Sequence, residues 1–284
     1  MREVAVVTTG FFDGVHLGHR HVLETLVSSA RERGEEALVV TFWPHPRTVL
    51  QQDARDFRLL TSLEEKKALL LGCGVDRVEV IPFTREFAAL TAEQYLTLLR
   101  EKYGASLVVM GYDNRIGCDG RTAASLAGCV FPVGKCGDGL SSTRIRMALT
   151  EGRVDDAARM LGYAYGLHGV VVAGNRLGRT IGFPTANMQL YDPLKLVPGG
   201  GVYAVRVDVQ GRTYRGMCNI GTRPTVGGTV RTIETHILDG FNEDIYGLDL
   251  RIVFLRRIRS EERFPSLEAL REQLGRDRDA CMAG

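Results

Sequence analysis

The chain has 284 residues, of which 44% are hydrophobic and 25% are charged, and its formal net charge is +2. These values are typical of a soluble globular protein of about two domains, and they give no reason to expect nucleic acid or a membrane surface as a partner. No apolar stretch reaches the roughly 20 residues of a transmembrane helix, and the N-terminal residues have no signal-peptide layout. The six cysteines include no C-x-x-C pair, so we expect free thiols and a cytoplasmic protein.

The first predicted elements are a buried strand over residues 4–7, a glycine-rich turn and an amphipathic helix over 22–30. Such a turn gathers backbone N–H groups at the positive end of a helix, which suits phosphate. His16 and His19 flank Gly18 in the turn, where a P-loop would carry Lys followed by Ser or Thr. Two imidazoles here can donate hydrogen bonds to charge that develops on a triphosphate. A zinc site is the alternative, but no third ligand is obvious nearby. A second alternative is that His16 and His19 are surface histidines without a ligand.

Strand and helix patterns alternate through the next part of the chain. They are a strand over residues 37–42, a helix that begins after a Ser62–Glu65 capping box, a strand over 75–81, a helix over 92–103 and a strand over 106–110. This alternation predicts an α/β doubly wound parallel sheet, whose ligands bind at the carboxyl ends of the strands. Phe42 stands at one such end and leads into a proline-rich loop that we expect to be rigid. A plain strand terminator is the alternative.

The fourth strand leads into a segment that contains Asp113 and then into a glycine-rich stretch over residues 118–139. No long helix is expected in that stretch, and a mobile loop is one interpretation. Ser142, Thr143 and Arg144 follow, at the start of the next predicted helix, with Ser142 or Thr143 as its N-cap. A hydroxyl cap and an arginine at a helix N-terminus predict a second anion site. A simple cap with a solvated arginine is the alternative.

These stretches resemble a known family. Residues 10–19 resemble the H-x-G-H signature of the nucleotidyltransferase superfamily, and their longer form G-x-F-D-G-V-H-x-G-H resembles that of bacterial FAD synthetases. Similar F-x-P-H-P and S-S-T-x-I-R motifs follow, and residues 111–117 resemble G-x-D-F-R-F-G apart from Asn114 and Ile116, which replace two aromatic residues. The resemblance implies catalytic roles for His16, His19 and Arg144. It also implies an ATP site of Gly10, Phe12, Asp13, Gly14, His16, Gly18, His19, Asp113, Ser142, Thr143 and Arg144, and a flavin-side loop of Phe42, Pro44, His45 and Pro46.

Helical spacing ends near residue 163, after a short predicted helix over 154–161. We therefore place a domain boundary there, between residues 1–162 and 163–284. The later strands follow one another without intervening helices, and a helical pattern over 267–274 closes the chain. The predicted strands lie over residues 169–174, 201–209, 214–220, 231–238 and 248–255. This arrangement predicts a small antiparallel β-barrel with a C-terminal helix.

A run over residues 174–187 carries the second candidate site. Its glycines keep side chains away from a ligand, and its arginines can pair with phosphate oxygens. These residues are Gly174, Gly178 and Gly182, and Arg176 and Arg179. Thr185 and Asn187 face the same way on an extended chain, and hydroxyl and amide oxygens suit Mg²⁺. A β-turn followed by a strand is the alternative.

This run resembles the G-R-x-x-G-F-P-T-A-N signature of riboflavin kinases, and residues 234–239 resemble their E-x-H motif. The resemblance implies that Glu234 is the base toward the ribityl 5′-hydroxyl and that Thr185 and Asn187 hold Mg²⁺. ATP and flavin would be bound by Gly174, Arg176, Gly178, Arg179, Gly182, Pro184, Thr185, Asn187 and Glu234. Partial burial beside Ile233 and Ile237 would make Glu234 a better base. A surface glutamate is the alternative.

The two resemblances together cover nearly the whole chain and imply a bifunctional riboflavin kinase and FAD synthetase. Such an enzyme transfers the γ-phosphoryl group of ATP to riboflavin and then AMP from a second ATP to FMN, which gives FAD and pyrophosphate. We expect Mg²⁺ as the cofactor and no nucleic acid, membrane or obligate protein partner. One alternative is a monofunctional kinase with a weakened N-terminal half, which Asn114 and Ile116 suggest. A flavin-binding regulator without catalysis is another, although the presence of Thr185, Asn187 and Glu234 together speaks against it.

Overall fold

The computed structural model describes residues 4–50, 57–137, 139–174, 181–225, 228–241 and 243–283, with the backbone alone at 223–225 and 228–230. The chain divides into two compact units, Met1–Ser142 and Thr143–Gly284. The predicted domain boundary falls later, after residue 162, and it stays a prediction.

The first unit alternates strands and helices around one sheet. Its elements are β1 (Ala5–Thr9), α1 (Leu17–Arg33), β2 (Glu36–Trp43), α2 (Pro46–Leu50), α3 (Leu63–Leu71), β3 (Arg77–Pro82), α4 (Arg85–Ala88), α5 (Ala92–Tyr103), β4 (Ala105–Gly111), β5 (Arg115–Ile116), β6 (Arg121–Thr122) and β7 (Phe131–Val133). Five strands form a parallel sheet in the order β3-β2-β1-β4-β7. Helix α1 packs on one face and α5 on the other, because side chains of successive strand residues point to opposite faces. This confirms the predicted doubly wound sheet.

Local sequence signals set several helix ends as predicted. The Ser62–Glu65 capping box forms at α3, and Thr91 forms one with Gln94 at α5. The prediction for Ser142 and Thr143 as N-caps is wrong, because α6 (Ser142–Thr150) already contains both residues. The Ser142 hydroxyl instead donates to the Asp13 carbonyl at 2.9 Å.

The stretch over residues 118–139 is more ordered than a mobile loop. It contains β6, a 3₁₀ turn (Ala123–Leu126) and β7, which extends the parallel sheet beside β4. Ala123, Leu126 and Val130 are buried in the hydrophobic core. The sequence of these short elements has neither helical nor strand periodicity. The burial of their apolar side chains in the core therefore determines where they lie.

The second unit is a closed barrel with flanking helices. Its elements are most of α6, α7 (Val154–Leu161), β8 (Gly166–Val172), β9 (Ala186–Leu190), β10 (Gly201–Val209), β11 (Arg212–Thr225), β12 (Gly228–Ile237), β13 (Asp249–Arg259) and α8 (Leu267–Met282). The strands are antiparallel in the order β10-β11-β12-β9-β8-β13, and β13 pairs with β10 to close the barrel. The barrel and the C-terminal helix agree with the prediction.

A buried ion pair fastens α8 to the barrel. Arg259, at the end of β13, donates to both carboxylate oxygens of Asp277, with an Nη2–Oδ2 distance of 2.8 Å and an Nε–Oδ1 distance of 3.0 Å. Asp277 is only 1% exposed, and Gln273 donates to it at 2.8 Å. An Arg–carboxylate pair with two hydrogen bonds fixes orientation as well as contact. The position of α8 therefore depends on this pair and on the apolar layer beneath the helix.

We expect Asp277→Ala to destabilise the second unit by about 3–5 kcal/mol, because it leaves Arg259 as an unpaired, largely buried charge. Urea unfolding followed by far-UV circular dichroism should show a transition at lower urea. The single tryptophan, Trp43, lies in the first unit, so its fluorescence transition should not move. Asp279→Ala is the matched control, since Asp279 is 71% exposed on the same helix. Equal transitions for the two variants would show that the buried pair does not hold α8.

Candidate active sites

The first candidate site is a cleft of about 530 Å³ at the carboxyl ends of β1 and β4. The order in which successive strands are added to the sheet reverses direction between β1 and β4. Open α/β sheets bind ligands at such a switch point. Several residues that the sequence predicted for ATP line the cleft together. They are Gly10, Phe12, His16, Gly18, His19, Asp113 and Ser142.

The turn between β1 and α1 has an unusual backbone. Phe12, Gly14 and Val15 have φ angles of 53°, 82° and 37°, and the left-handed region is unfavourable for two of these three residues. The turn ends at His16, which is the N-cap of α1. Its Nδ1 accepts a hydrogen bond from the His19 N–H at 3.3 Å. Because Nδ1 is the acceptor, the ring proton of neutral His16 is on Nε2.

The two histidines form one structural unit. Their rings stack with centroids 3.6 Å apart and an angle of 17° between the planes. A Cβ at Gly18 would lie only 3.2 Å from Cε1 of His16, so glycine makes room for the ring. Burial, together with the nearby His16 and Lys66, lowers the pKa of His19 well below its usual value. His19 therefore supplies a neutral N–H donor at neutral pH.

His19 also has a polar atom that the described part of the chain leaves unsatisfied. Its Nδ1 is buried without a hydrogen-bond partner among the described residues. Buried polar atoms of this kind are uncommon and carry a desolvation penalty. The His16 side chain is buried and that of His19 is partly buried at the wall of the cleft, which argues against two surface histidines.

Asp13 and Gly14 connect the turn to the segment before α3. The Asp13 carboxylate accepts hydrogen bonds from the N–H groups of Leu60 and Thr61 at 3.0 and 3.2 Å, and the Gly14 N–H donates to the Thr61 hydroxyl at 3.2 Å. These bonds hold the segment before α3 against the turn. Both residues thus support the turn, and their predicted contact with ATP stays a prediction.

The remaining predicted residues of this site have different surroundings. Asp113 is exposed in the cleft, and its neighbour Asn114 donates to the Thr9 carbonyl at 2.9 Å, which ties the β4 loop to the end of β1. Thr143 and Arg144 are exposed in the first turn of α6 and belong to the second unit. Their roles toward ATP stay predictions.

A second cavity of about 400 Å³ adjoins the cleft. Four residues line both, namely Thr9, Gly10, Phe11 and Asn114. Aromatic rings dominate the new cavity: Phe42 lies 5.3 Å from Phe87, and Phe87 lies 5.4 Å from Tyr95, between ring centroids. A cavity of this composition suits a flat heteroaromatic ring.

The predicted flavin-side loop lies at this second cavity. Phe42 and Pro46 line it, and Pro44 follows a cis peptide bond after Trp43. His45 packs edge-on against Phe11 with centroids 4.0 Å apart. Several lining residues were not predicted from the sequence, among them the aromatic Phe83, Phe87 and Tyr95. The spacing of four between Phe83 and Phe87, just after a strand, is the signal that could have indicated two of them.

Two of the cavities around β12 in the second unit adjoin each other at Thr185. One, of about 400 Å³, is lined by Val171, Ala186, Thr235 and Ile237 among others. The other, of about 330 Å³, lies under α8 and contains Glu234, His236, Asn219, Leu270 and Leu274. Alternate residues of β12 thus line different cavities, because successive side chains of a strand point to opposite faces. Thr185 lines both cavities.

Strand register brings the polar residues of this site together. Glu234 pairs with Asn187 on β9 and with Asn219 on β11. Residues directly opposite one another in antiparallel strands share a face, so both amides flank the carboxylate. Asn219 is a residue that sequence analysis did not place in the site. A Cβ at Gly174 would lie 2.1 Å from Nδ2 of Asn187, which explains the glycine there.

His236 connects β12 to the segment that carries Thr185. Its Nδ1 donates to the Pro184 carbonyl at 2.7 Å, and its ring packs edge-on against Phe183 with centroids 5.3 Å apart. Burial lowers the pKa of His236, which keeps the imidazole neutral in this hydrogen bond. Gly182 has a φ of 83°, a conformation that favours glycine. Arg176, Gly178 and Arg179 lie outside the described residues.

Thr185 and Asn187 offer a hydroxyl and an amide oxygen beside Glu234. The described residues include no group of three or more His, Cys, Asp or Glu side chains that could hold a metal ion by itself. A metal here would rely on oxygen donors and on substrate phosphates, which are the ligands that Mg²⁺ accepts. The absence of a side chain at Gly174 leaves the space that this amide occupies. These residues therefore fit Mg²⁺.

Comparison with known proteins agrees with both sites. Residues 1–128 match the FAD synthetase family, and residues 161–283 match the riboflavin kinase family. A protein of Escherichia coli K12 named bifunctional riboflavin kinase/FMN adenylyltransferase is 40% identical over 97% of this chain and 91% of its own length. A Bacillus subtilis protein of the same name is 37% identical over 98% of this chain and 92% of its own length.

A solved structure is similar over nearly the same range. It is described as a macrolide-efflux protein from Streptococcus pneumoniae, is 34% identical, and covers 99% of this chain and 95% of its own with a TM-score of 0.94. In the part of the present chain that the structure describes, no helix has the length and apolar character to cross a membrane. All six cysteines carry free thiols.

Proposed function

The chain belongs to the family of bifunctional riboflavin kinases/FMN adenylyltransferases, and from this premise we propose where each of its two reactions takes place. It phosphorylates riboflavin to FMN and adenylylates FMN to FAD with release of pyrophosphate. One observation supports the placement: each unit has a pair of adjoining cavities that contain its own predicted motif residues. Each pair has room for a nucleotide and a flavin side by side.

In the first unit, the triphosphate of ATP would occupy the cleft at His16 and His19, and the flavin ring of FMN would lie among the aromatic side chains. The shared wall at Gly10 and Phe11 then brings the FMN phosphate close to the α-phosphorus. An FMN phosphate oxygen forms the new P–O bond, the bond from the α-phosphorus to the bridging oxygen breaks, and pyrophosphate leaves. The imidazole N–H groups stabilise the charge that grows on the phosphoryl oxygens.

In the second unit, riboflavin would lie under α8 against apolar side chains such as Leu270 and Leu274, with its ribityl chain toward Glu234. The carboxylate accepts the proton of the 5′-hydroxyl as its oxygen attacks the γ-phosphorus of ATP. Thr185 lines both cavities, so it lies where the two substrates meet. Thr185 and Asn187 would hold Mg²⁺, which supplies positive charge against the phosphates when it is bound.

We also propose that residues 163–284 carry the whole kinase activity and that α6 and α7 support them. Val154, Ala157 and Leu161 of α7 are at most 1% exposed, and the Gly199 N–H donates to the Leu149 carbonyl at 2.8 Å. These contacts lie inside the second compact unit. A cytoplasmic location, inferred from the cysteine pattern, belongs to the same proposal.

Two fragments test this placement. Residues 143–284 and 161–284 should both make FMN from riboflavin and MgATP, and neither should make FAD. The shorter fragment should unfold at lower temperature, because it lacks buried α7 side chains that each stabilise by roughly 1–3 kcal/mol. Chelation with EDTA should abolish FMN formation, and added Mg²⁺ should restore it. FAD from either fragment, or a folded 143–284 fragment without kinase activity, would contradict the placement.

A further inference from the structure

Lys66 is a buried cation near His19, and its own hydrogen bonds have no part in either proposed site. It lies on α3 with 1% of its surface exposed. Its Nζ donates to the carbonyls of Phe11 and Phe42, each at 3.2 Å, and lies 3.8 Å from the centroid of the Phe11 ring. An ammonium group over a ring face at this distance forms a cation–π contact. One side chain thus holds together the turn after β1, through Phe11, and the end of β2, through Phe42.

The two residues that Lys66 holds are walls of the aromatic cavity. Phe11 lines both this cavity and the cleft, whereas Phe42 lines the aromatic cavity. The Phe11 carbonyl also accepts from the Thr41 hydroxyl at 3.2 Å, and its ring packs against His45. Lys66 approaches this wall from the protein interior, where it would act through Phe11 and Phe42.

A lysine is an unfavourable choice for this position if packing were its only purpose. Burial of its ammonium group lowers the pKa of Lys66 to about 8, although Asp13 nearby opposes the shift. A methionine would fill a similar volume on α3 without a desolvated charge. The lysine donors are thus desolvated at the point where the turn after β1 meets the end of β2.

We propose that Lys66 is a positioning residue for the flavin substrate of adenylyl transfer, because it fixes the walls of the aromatic cavity through both carbonyls and the Phe11 ring. This proposal rests on the placement of FMN in that cavity. It predicts a selective effect: FMN contacts both walls that Lys66 holds, whereas the nucleotide cleft shares only Phe11 with them.

The test uses the full chain with Lys66→Met, Lys66→Arg and the matched control Lys67→Met from the same helix. Initial rates of FAD formation are measured with FMN and ATP varied in turn. Lys66→Met should lower kcat/KM for FMN by roughly 10²-fold, mostly through a KM for FMN at least ~10-fold higher, with the KM for ATP within about threefold of the parent value. Lys66→Arg keeps donors and charge and should recover most of the loss. Lys67→Met should match the parent.

Two further measurements make the outcome decisive. Riboflavin phosphorylation and the Trp43 unfolding transition are recorded for each variant, and if Lys66→Met does not fold, Lys66→Arg and Lys66→Gln are compared instead, with the loss expected only in Gln. Phe87→Ala tests the placement of FMN itself and should also raise the KM for FMN. If Phe87→Ala leaves that KM unchanged, the proposed flavin cavity is wrong. If Phe87→Ala raises it but the Lys66 variant that folds does not, or if KM rises equally for FMN and ATP, the role of Lys66 is overturned.

Discussion

FAD formation from FMN and MgATP should fall by at least ~10²–10³ in rate when His16 and His19 are both changed to alanine, because the variant loses the N–H donors that face the developing charge in the cleft. Riboflavin phosphorylation should continue at the parent rate, since Glu234 and its cavity belong to the other unit. The two products are separated by reversed-phase chromatography after incubation with each substrate.

The N-cap role of His16 requires a control for helix stability. Removing an N-cap acceptor typically destabilises a helix by about 1 kcal/mol. His16→Ala alone therefore does not separate the loss of the imidazole donor from the destabilisation of α1. His16→Asn keeps a cap acceptor and loses the imidazole donor, and it should still form FAD slowly. His21→Ala is the matched histidine control, as His21 lies on the same helix with 40% of its side chain exposed. Undiminished FAD synthesis by the double variant would remove these histidines from the mechanism.

Glu234→Gln should reduce riboflavin phosphorylation by roughly 10²–10⁴-fold, because the amide keeps the shape of the side chain but cannot accept the 5′-hydroxyl proton. Glutamine is also compatible with the amides of Asn187 and Asn219, which face residue 234 across the strands, so riboflavin binding should change little. Adenylylation of supplied FMN should be unaffected. The measurement is the initial rate of FMN formation, together with the KM for riboflavin.

Glu272→Gln on the exposed side of α8 is the control for the loss of one carboxylate. It should match the parent in both activities. If Glu234→Gln phosphorylates riboflavin at the parent rate, another group or water accepts the proton. If kcat is kept and only the KM for riboflavin rises, Glu234 is a binding residue rather than the base.

Periodicity and local signals were enough to predict the architecture. The apolar runs and amphipathic helices of the first unit predict a parallel sheet, and the short strands of the second predict a barrel. Helix α5 (Ala92–Tyr103) begins and ends where its Thr91 cap and the following glycine indicate. These features depend on interactions among residues that are neighbours in sequence, so they can be predicted from one amino-acid sequence.

The composition of the sites could be predicted only in part, because it depends on contacts between distant segments. Asp13 stands in the most distinctive motif, yet its carboxylate is bound by backbone N–H groups of a segment before α3. Asn219 faces Glu234 through the register of β11 and β12, which no local pattern sets. Lys66 stands among charged residues at the start of a helix, a pattern that ordinarily indicates a solvated face.

The departures at Asn114 and Ile116 illustrate the same point. They suggested a weakened adenylyltransferase half, since aromatic residues stand there in the resembling motif. In the structure both residues line the second cavity, and its aromatic rings come from other segments: the turn after β1, the end of β2 and the chain from Phe83 to Tyr95. Asn114 in addition ties the β4 loop to β1. The aromatic lining of the cavity therefore does not depend on aromatic residues at positions 114 and 116.

The central claim is that one chain carries both activities, each in its own unit. The most direct measurement is incubation of the purified full chain with riboflavin and MgATP, followed by chromatographic separation of flavins over time. The account predicts that FMN appears first and that FAD and pyrophosphate follow, with FAD also formed when FMN is supplied in place of riboflavin. Formation of FMN from riboflavin, with no FAD from either riboflavin or FMN, would contradict it. That result would identify a kinase whose N-terminal half no longer transfers AMP.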